Sequence, residues 1–260
     1  MPPIRTSAIV LRTVDVFETS RVLTLFTREA GKVSALAKGA RRLKSPFQSS
    51  LDLLSVCDIV CLSKGSEALD LLTEAKLLER FDAFRHDLSA LYSGLYVAEL
   101  LHDLTDRHDP HPRLFDAAVV TLRRLRDPQV RPRRVLRFEL ALLRELGLMP
   151  ALLACVHCGQ PAGLGLGLGE GNLEPDRSVS FGLATGGVLC PDCRAGQPHV
   201  ARLSAETLGL IQALAAPGNG WRDPAWTPKT VASARATIGA VVAHQLGRRP
   251  RMTPYLERGD

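Results

Sequence analysis

Two CxxC pairs, Cys155-Val156-His157-Cys158 and Cys190-Pro191-Asp192-Cys193, hold the residues best spaced to do chemistry in this chain. Each pair can present two thiolates on one side of a tight turn, and two such knuckles together form a tetrahedral four-sulfur site. With all four positions filled by cysteine, no coordination place stays open, which points to a structural zinc ion rather than a catalytic one. The loop between the pairs is longer than usual, but closure entropy grows only slowly with length. A redox CxxC pair and four unmetallated core thiols are the alternatives. His157 and His199 are expected to be bystanders. Cys57 and Cys61, four apart on one face of an expected strand, read as small core residues rather than a second site.

The second candidate chemistry is electrostatic. Residues 1–50 carry nine basic side chains (Arg5, Arg12, Arg21, Arg28, Lys32, Lys38, Arg41, Arg42, Lys44) against three acidic ones (Asp15, Glu18, Glu29). The run Lys38-Gly39-Ala40-Arg41-Arg42-Leu43-Lys44 puts four of those cations on one expected loop, which is what phosphate contact requires. A merely solvated basic loop is the bland alternative. A second basic stretch, residues 113–144, has nine arginines against Asp116, Asp127 and Glu139, but several of these must face solvent on any helix. Enzymatic signatures are missing: there is no GxxxxGK(S/T), GxSxG or HExxH, and no carboxylate pair stands out as acid and base. The run Gly163-Leu164-Gly165-Leu166-Gly167-Leu168-Gly169 follows no strand and opens no helix, so it reads as a hairpin tip rather than a nucleotide loop. The chain is therefore not expected to be an enzyme.

The elements that must position these residues change character along the chain. Five strands are predicted at residues 6–13, 20–27, 32–37, 53–62 and 68–77, with Gly31 supplying a positive φ between the second and third and a turn around Lys64-Gly65-Ser66. Five short strands suit a small closed barrel; OB-fold and SH3-like barrels fit the count equally. A helical period then runs from about residue 81 to 108, stopped by Pro110 and Pro112, followed by helices near 114–125 and 133–146. Residues 151–200 are glycine-rich without helical period. Ser204 is the expected N-cap of a helix reaching Leu214, and Thr227-Pro228 the cap and first turn of one reaching Leu246. The expected division is 1–80 barrel, 81–150 first helical part, 151–200 metal insert, 201–250 second helical part and 251–260 basic, mobile tail, making an α+β protein.

The totals admit this organisation. At 260 residues and 45% hydrophobic content the chain can bury a sizeable core, and a net charge of +6 with pI near 9.2 permits a polyanionic partner without demanding one. No apolar run of about 18 residues and no secretory h-region are seen. A reducing cytoplasm is the expected compartment, where metal ligation of cysteines is favoured over disulfides. Aromatic residues make up only 5%, so backbone electrostatics are expected to outweigh base stacking.

Residues 8–13 (AIVLRT), 18–32 (ETSRVLTLFTREAGK) and 37–42 (AKGARR) resemble the N-terminal region of the bacterial RecO family. The cysteine knuckles and the lead-in from Phe181 to Cys190 are similar to that family's as well, and the order of parts agrees over most of the chain. The resemblance implies an OB-fold that binds single- and double-stranded DNA, with a helical domain holding structural Zn2+. It implies strand annealing, contact with single-strand-binding protein, and, with RecR, loading of RecA in the RecFOR pathway of recombinational DNA repair, on the nucleoid. Carried onto this sequence, the DNA contacts are Arg21, Lys32, Lys38, Arg41, Arg42 and Lys44, and the zinc ligands are Cys155, Cys158, Cys190 and Cys193. The glycine-leucine loop and residues 248–260 depart from the family pattern. A rival reading is a zinc-stabilised adaptor whose basic surface binds acidic protein tails.

Overall fold

Alternation along five strands decides the first half of the fold. The computed structural model describes residues 3–42, 45, 47, 50–63, 68–161 and 178–256. It gathers into two compact units, Met1–Pro128 with Pro250–Asp260, and Gln129–Arg249. The first unit begins with β1 (Pro3–Val16), β2 (Ser20–Thr27), β3 (Gly31–Ala37), β4 (Val56–Leu62) and β5 (Asp70–Glu79). Ala8 and Val10, Leu23 and Leu25, Val33, Ala35 and Ala37, and Cys57, Ile59 and Cys61 recur two apart and share one buried cluster with Phe47, Leu51 and Leu72. Period-two spacing places them on one face. Each large apolar side chain so buried is worth about 1.5–3 kcal/mol over exposure.

That face leaves water because the sheet closes. The order β1-β2-β3-β5-β4 returns to β1, antiparallel throughout except where Ala35, Leu36 and Ala37 pair in parallel with Asp70, Leu71 and Leu72. This order makes the barrel OB-like and resolves the choice that strand count left open. Cys57 and Cys61 lie inside it as expected, and burial pushes the Cys61 thiol up to about 12. Gly31, at φ +68°, makes the turn into β3, where a Cβ would stand 2.4 Å from the Asp109 carbonyl oxygen. Both the backbone angle and the close approach require glycine there.

The opposite side of the barrel wall is covered too. Ile9, Leu11 and Phe26 are buried beneath α2 (Leu88–Leu104) and α3 (Pro112–Arg124), with the Phe26 and Phe115 ring centroids 6.3 Å apart. Two forked ion pairs clip α3 in place. Arg28 Nε and Nη2 donate to Asp116 Oδ1 and Oδ2 at 2.9 and 3.0 Å, and Arg123 Nε and Nη2 to Glu79 Oε1 and Oε2 at 2.8 and 2.6 Å. The first pair holds the Asp116 carboxyl below its ordinary range. Being largely solvent-exposed, the forks set orientation more than stability.

The helix expected over residues 81–108 is two. After α1 (Ala83–His86), Asp87 turns extended at φ −129° and ψ 106°, and its side chain accepts the Ala90 amide at 2.9 Å to cap α2. An aspartate that captures a nearby amide interrupts a helix its neighbours would continue. Thr105, also extended, ends α2, and Pro112 opens α3.

In the second unit, α4 (Arg131–Glu145), α6 (Ala205–Ala215) and α7 (Pro228–Leu246) pack together. Ser204 and Thr227 cap α6 and α7 as the sequence predicts, accepting from Thr207 N at 3.1 Å and Thr230 N at 3.2 Å. Such a cap is worth about 1 kcal/mol. Three arginines of α4 are held by backbone carbonyls. Arg133 donates to Trp221 O and Asp223 O, Arg137 to Leu214 O and Ala216 O, and Arg144 to Ala215 O. Three of those five carbonyls belong to the end of α6, where a guanidinium satisfies acceptors that the helix leaves unpaired.

The described residues of the insert form more regular structure than its composition suggests. β6 (Ser178–Gly182), β7 (Gly187–Leu189) and β8 (Val200–Ser204) form a sheet in the order β7-β6-β8, with the short helix α5 (Pro191–Arg194) after β7. Strands of three to five residues are too short to display a period. The glycine-leucine run and the turn at residues 64–66 lie outside the described residues.

Residues 250–256 return to the first unit, and the mobile tail expected there is anchored as far as Leu256. Arg251 N and Met252 N donate to the Glu99 carboxylate at 2.7 and 2.9 Å. The helix α8 (Thr253–Leu256) buries Leu256 and sets the Tyr255 ring 5.0 Å from that of Tyr92. No described helix is long and apolar enough to cross a membrane.

Candidate metal centre and candidate nucleic-acid interface

The first knuckle is built by backbone bonds: Cys155 N donates to Gln160 O and Gly159 N to Cys155 O, at 2.8 and 2.9 Å. Val156 N donates to Val188 O at 2.9 Å and so ties this turn to β7. Since β7 runs directly into Cys190, that bond, with Val188 N to Ala151 O at 2.8 Å and Ala151 N to Gly186 O at 2.9 Å, brings the second knuckle beside the first. Cys190 then begins α5, its sulfur accepting from Cys193 N at 3.4 Å.

The four Sγ atoms consequently lie within 4.8 Å of one another, with Cys158 and Cys190 at 3.7 Å. A tetrahedral zinc with bonds of about 2.3 Å would space its sulfurs about 3.8 Å apart, so the donor set and its spacing fit that ion. Charge argues the same way. Amide donation, chiefly from Cys158 and then Cys190, pulls the Cys155 thiol down to about 6, while the Cys190 and Cys158 side chains push Cys193 up to about 12. One thiolate is stabilised by the fold and a further one is resisted by its neighbours, which is the imbalance a divalent cation offsets. The four cysteines could hold a metal ion; neither His157 nor His199 belongs to the cluster.

The structure sorts the basic residues of the barrel by what they touch. Lys32, on β3, is half-buried and donates its ammonium to the carbonyls of His102 and Thr105 at the end of α2; burial lowers its pKa. It acts there as a helix C-terminal cation. Arg28 is committed to Asp116, and Arg5 pairs loosely with Glu74 at 3.7 Å. Arg21 and Arg41 share Asp15, at 2.8 and 3.4 Å, and the Arg21 hydrogen bond lowers that carboxyl's pKa. Together the three groups leave one net positive charge. Lys38 and Arg42 are exposed and have no ion-pair partner among the described residues. Lys44 lies outside the described residues.

Four of the six expected contacts are thus brought to one end of the barrel. The pairing of Arg21 with Ala37 sets the loop after β3 against the β1–β2 hairpin, and Arg41 N donates to Thr19 O at 3.0 Å. Gly39, at φ +72°, makes the turn, with Arg42 N returning to its carbonyl at 3.1 Å. Lys32 is elsewhere, on the α2 side. At the hairpin tip stands a residue the sequence reading passed over: Phe17, 87% exposed and at φ +53°. That conformation costs a non-glycine residue about 1–2 kcal/mol. Its only sequence signal is an aromatic at the end of an alternating strand just before Glu18-Thr19.

These features define an OB-like barrel protein with a separate cysteine-knuckle metal centre. Residues 1–81 match the family model "Recombination protein O N terminal", and residues 85–254 match "Recombination protein O C terminal". The DNA repair protein RecO of Rhodopirellula baltica is 38% identical, over 96% of this chain and 97% of its own. Those of Anaeromyxobacter dehalogenans (strain 2CP-C) and Myxococcus xanthus are 35% and 34% identical, over 99% and 96% of this chain and 97% and 95% of theirs. The chain belongs to the recombination protein O family, RecO.

Lys32 and Lys38, six residues apart, should therefore behave differently. Lys32→Met is expected to cost about 1–2 kcal/mol of unfolding free energy. Lys38→Met should stay within about 0.5 kcal/mol of the parent. Urea denaturation of the two variants checks this, and equal midpoints would contradict the assignment of Lys32 to the helix end.

Proposed function

We propose that this protein is a non-catalytic mediator of DNA repair and recombination in the cytoplasm, binding single- and double-stranded DNA and annealing complementary strands. With RecR, it would help load RecA onto single strands coated by single-strand-binding protein. The observation that carries the reading is the cationic end of the barrel: Lys38 and Arg42, exposed and without ion pairs among the described residues, beside Arg21 and Arg41. Family membership supports it, and so does the general use of the first hairpin and neighbouring loops by OB barrels to hold oligonucleotides. We assign DNA contact to Arg21, Lys38, Arg41, Arg42 and Lys44 within residues 1–80, with Lys32 supporting the barrel from the α2 side.

Annealing needs no catalytic group. Cations that neutralise two phosphate backbones lower the repulsion between strands, and base pairing supplies the free energy. The loop's value lies in Lys38 and Arg42, which no carboxylate neutralises among the described residues, since a phosphate then displaces only water and counterions. Zinc at Cys155, Cys158, Cys190 and Cys193, within residues 151–200, would supply structure alone: it would tie the first knuckle to the end of β7 and hold the small sheet together.

Binding of a labelled oligonucleotide, followed by anisotropy across a salt series, tests the interface. Lys38→Glu with Arg42→Glu should weaken both single-strand and duplex binding at least about tenfold and lower the salt slope by about 2. An unmoved affinity and slope would place the DNA elsewhere. For the metal, the parent should contain about one zinc per chain, and Cys155→Ser should lose it with reduced stability of Gln129–Arg249. Full zinc content in that variant would refute the four-cysteine assignment.

A further inference from the structure

Phe17 has an environment that neither the barrel's stability nor phosphate contact explains. A large aromatic ring is 87% exposed at the tip of the β1–β2 hairpin, on a backbone at φ +53° that glycine would adopt without strain. Strain held at an exposed tip has no packing gain to offset it, and such conformations concentrate where they serve a ligand. The tip is also braced. Arg41 N donates to Thr19 O at 3.0 Å, the Arg41 guanidinium reaches the Phe17 carbonyl at 3.4 Å, and Asp15 holds Arg41 and Arg21 together. The ring is therefore presented from a fixed mount, with exposed cations on one flank.

We propose that Phe17 is a stacking platform for an unpaired nucleobase whose backbone phosphates lie along the Lys38–Arg42 side of the tip. The proposal rests on the DNA-binding reading above and adds to it a contact that discriminates single strands from duplex. A π-face accepts any base, so stacking is tolerant of sequence but requires that the base be out of its pair. Charge fixes the direction of the strand's approach. Glu18, next along the turn, is exposed and repels a phosphate placed beside it, whereas Lys38 and Arg42 attract one. The same feature bears on annealing: a base held open on the ring is presented for pairing with an incoming strand.

The test uses the full-length protein with Phe17→Gly and Phe17→Trp, measured on an oligo-dT strand, an abasic strand of equal length and a duplex. Phe17→Gly relieves the positive φ, so its thermal midpoint should equal or exceed the parent's, which separates lost stacking from lost folding. Its affinity for oligo-dT should fall about five- to hundredfold while its salt slope stays that of the parent. The abasic strand and the duplex should bind parent and variant alike, and Phe17→Trp should keep or improve oligo-dT binding. Equal loss on the abasic strand would overturn the proposal by making the ring a structural prop. Unchanged oligo-dT affinity, in a parent that binds DNA with a steep salt slope, would overturn it while sparing the DNA-binding reading. A parent that binds no DNA at all would overturn both.

Discussion

Closure of the barrel rests on a short parallel ladder, Ala35 to Ala37 against Asp70 to Leu72, and the proposed DNA-binding surface depends on it. Without that pairing β3 would be a sheet edge, its alternate residues Val33, Ala35 and Ala37 would face water, and the edge would invite association. With it, the chain leaves β3 at Ala37 from a point held on both sides, by β2 and by β5. The basic turn begins one residue later. Its cations are thereby placed beside the first hairpin, where Arg41 adds its own bonds to Thr19 O, Phe17 O and Asp15.

Lys and Arg count alone is a poor guide to an anionic partner in this chain. Arg28, Lys32, Arg123, Arg133, Arg137 and Arg144 all meet carboxylates or backbone carbonyls. Removing these leaves several exposed cations, Arg12, Arg113 and Arg124 among them, and the proposed site takes those gathered at the Lys38–Arg42 turn. The cysteine centre obeys a parallel logic. Amide donors favour one thiolate and neighbouring sulfurs oppose another, so the cluster is balanced for a cation.

Much of this was legible in the sequence because it depends on local rules. The β-rich runs announced the five barrel strands, Ser204 and Thr227 announced their helices, and the CxxC spacing announced the cysteine cluster. What escaped depends on partners distant in the chain. Lys32 and Lys38 look alike until one finds His102 and Thr105, and Arg137 meets Leu214, 77 residues away. The break at Asp87 was hidden because apolar residues on both sides keep a helical period. The sheet of β6, β7 and β8 was hidden because its strands are too short to show one. Phe17 could not be singled out, since exposure belongs to the folded hairpin and not to its composition.

In the proposed function this protein brings DNA strands together by electrostatic screening at the barrel's cationic end. The most direct measurement is the annealing rate of two complementary labelled oligonucleotides with the protein alone, across a salt series. The account predicts acceleration that fades as salt rises, in step with the loss of phosphate contacts. No acceleration at low salt, from protein shown to be folded, would contradict it and favour an adaptor whose basic surface binds acidic protein tails.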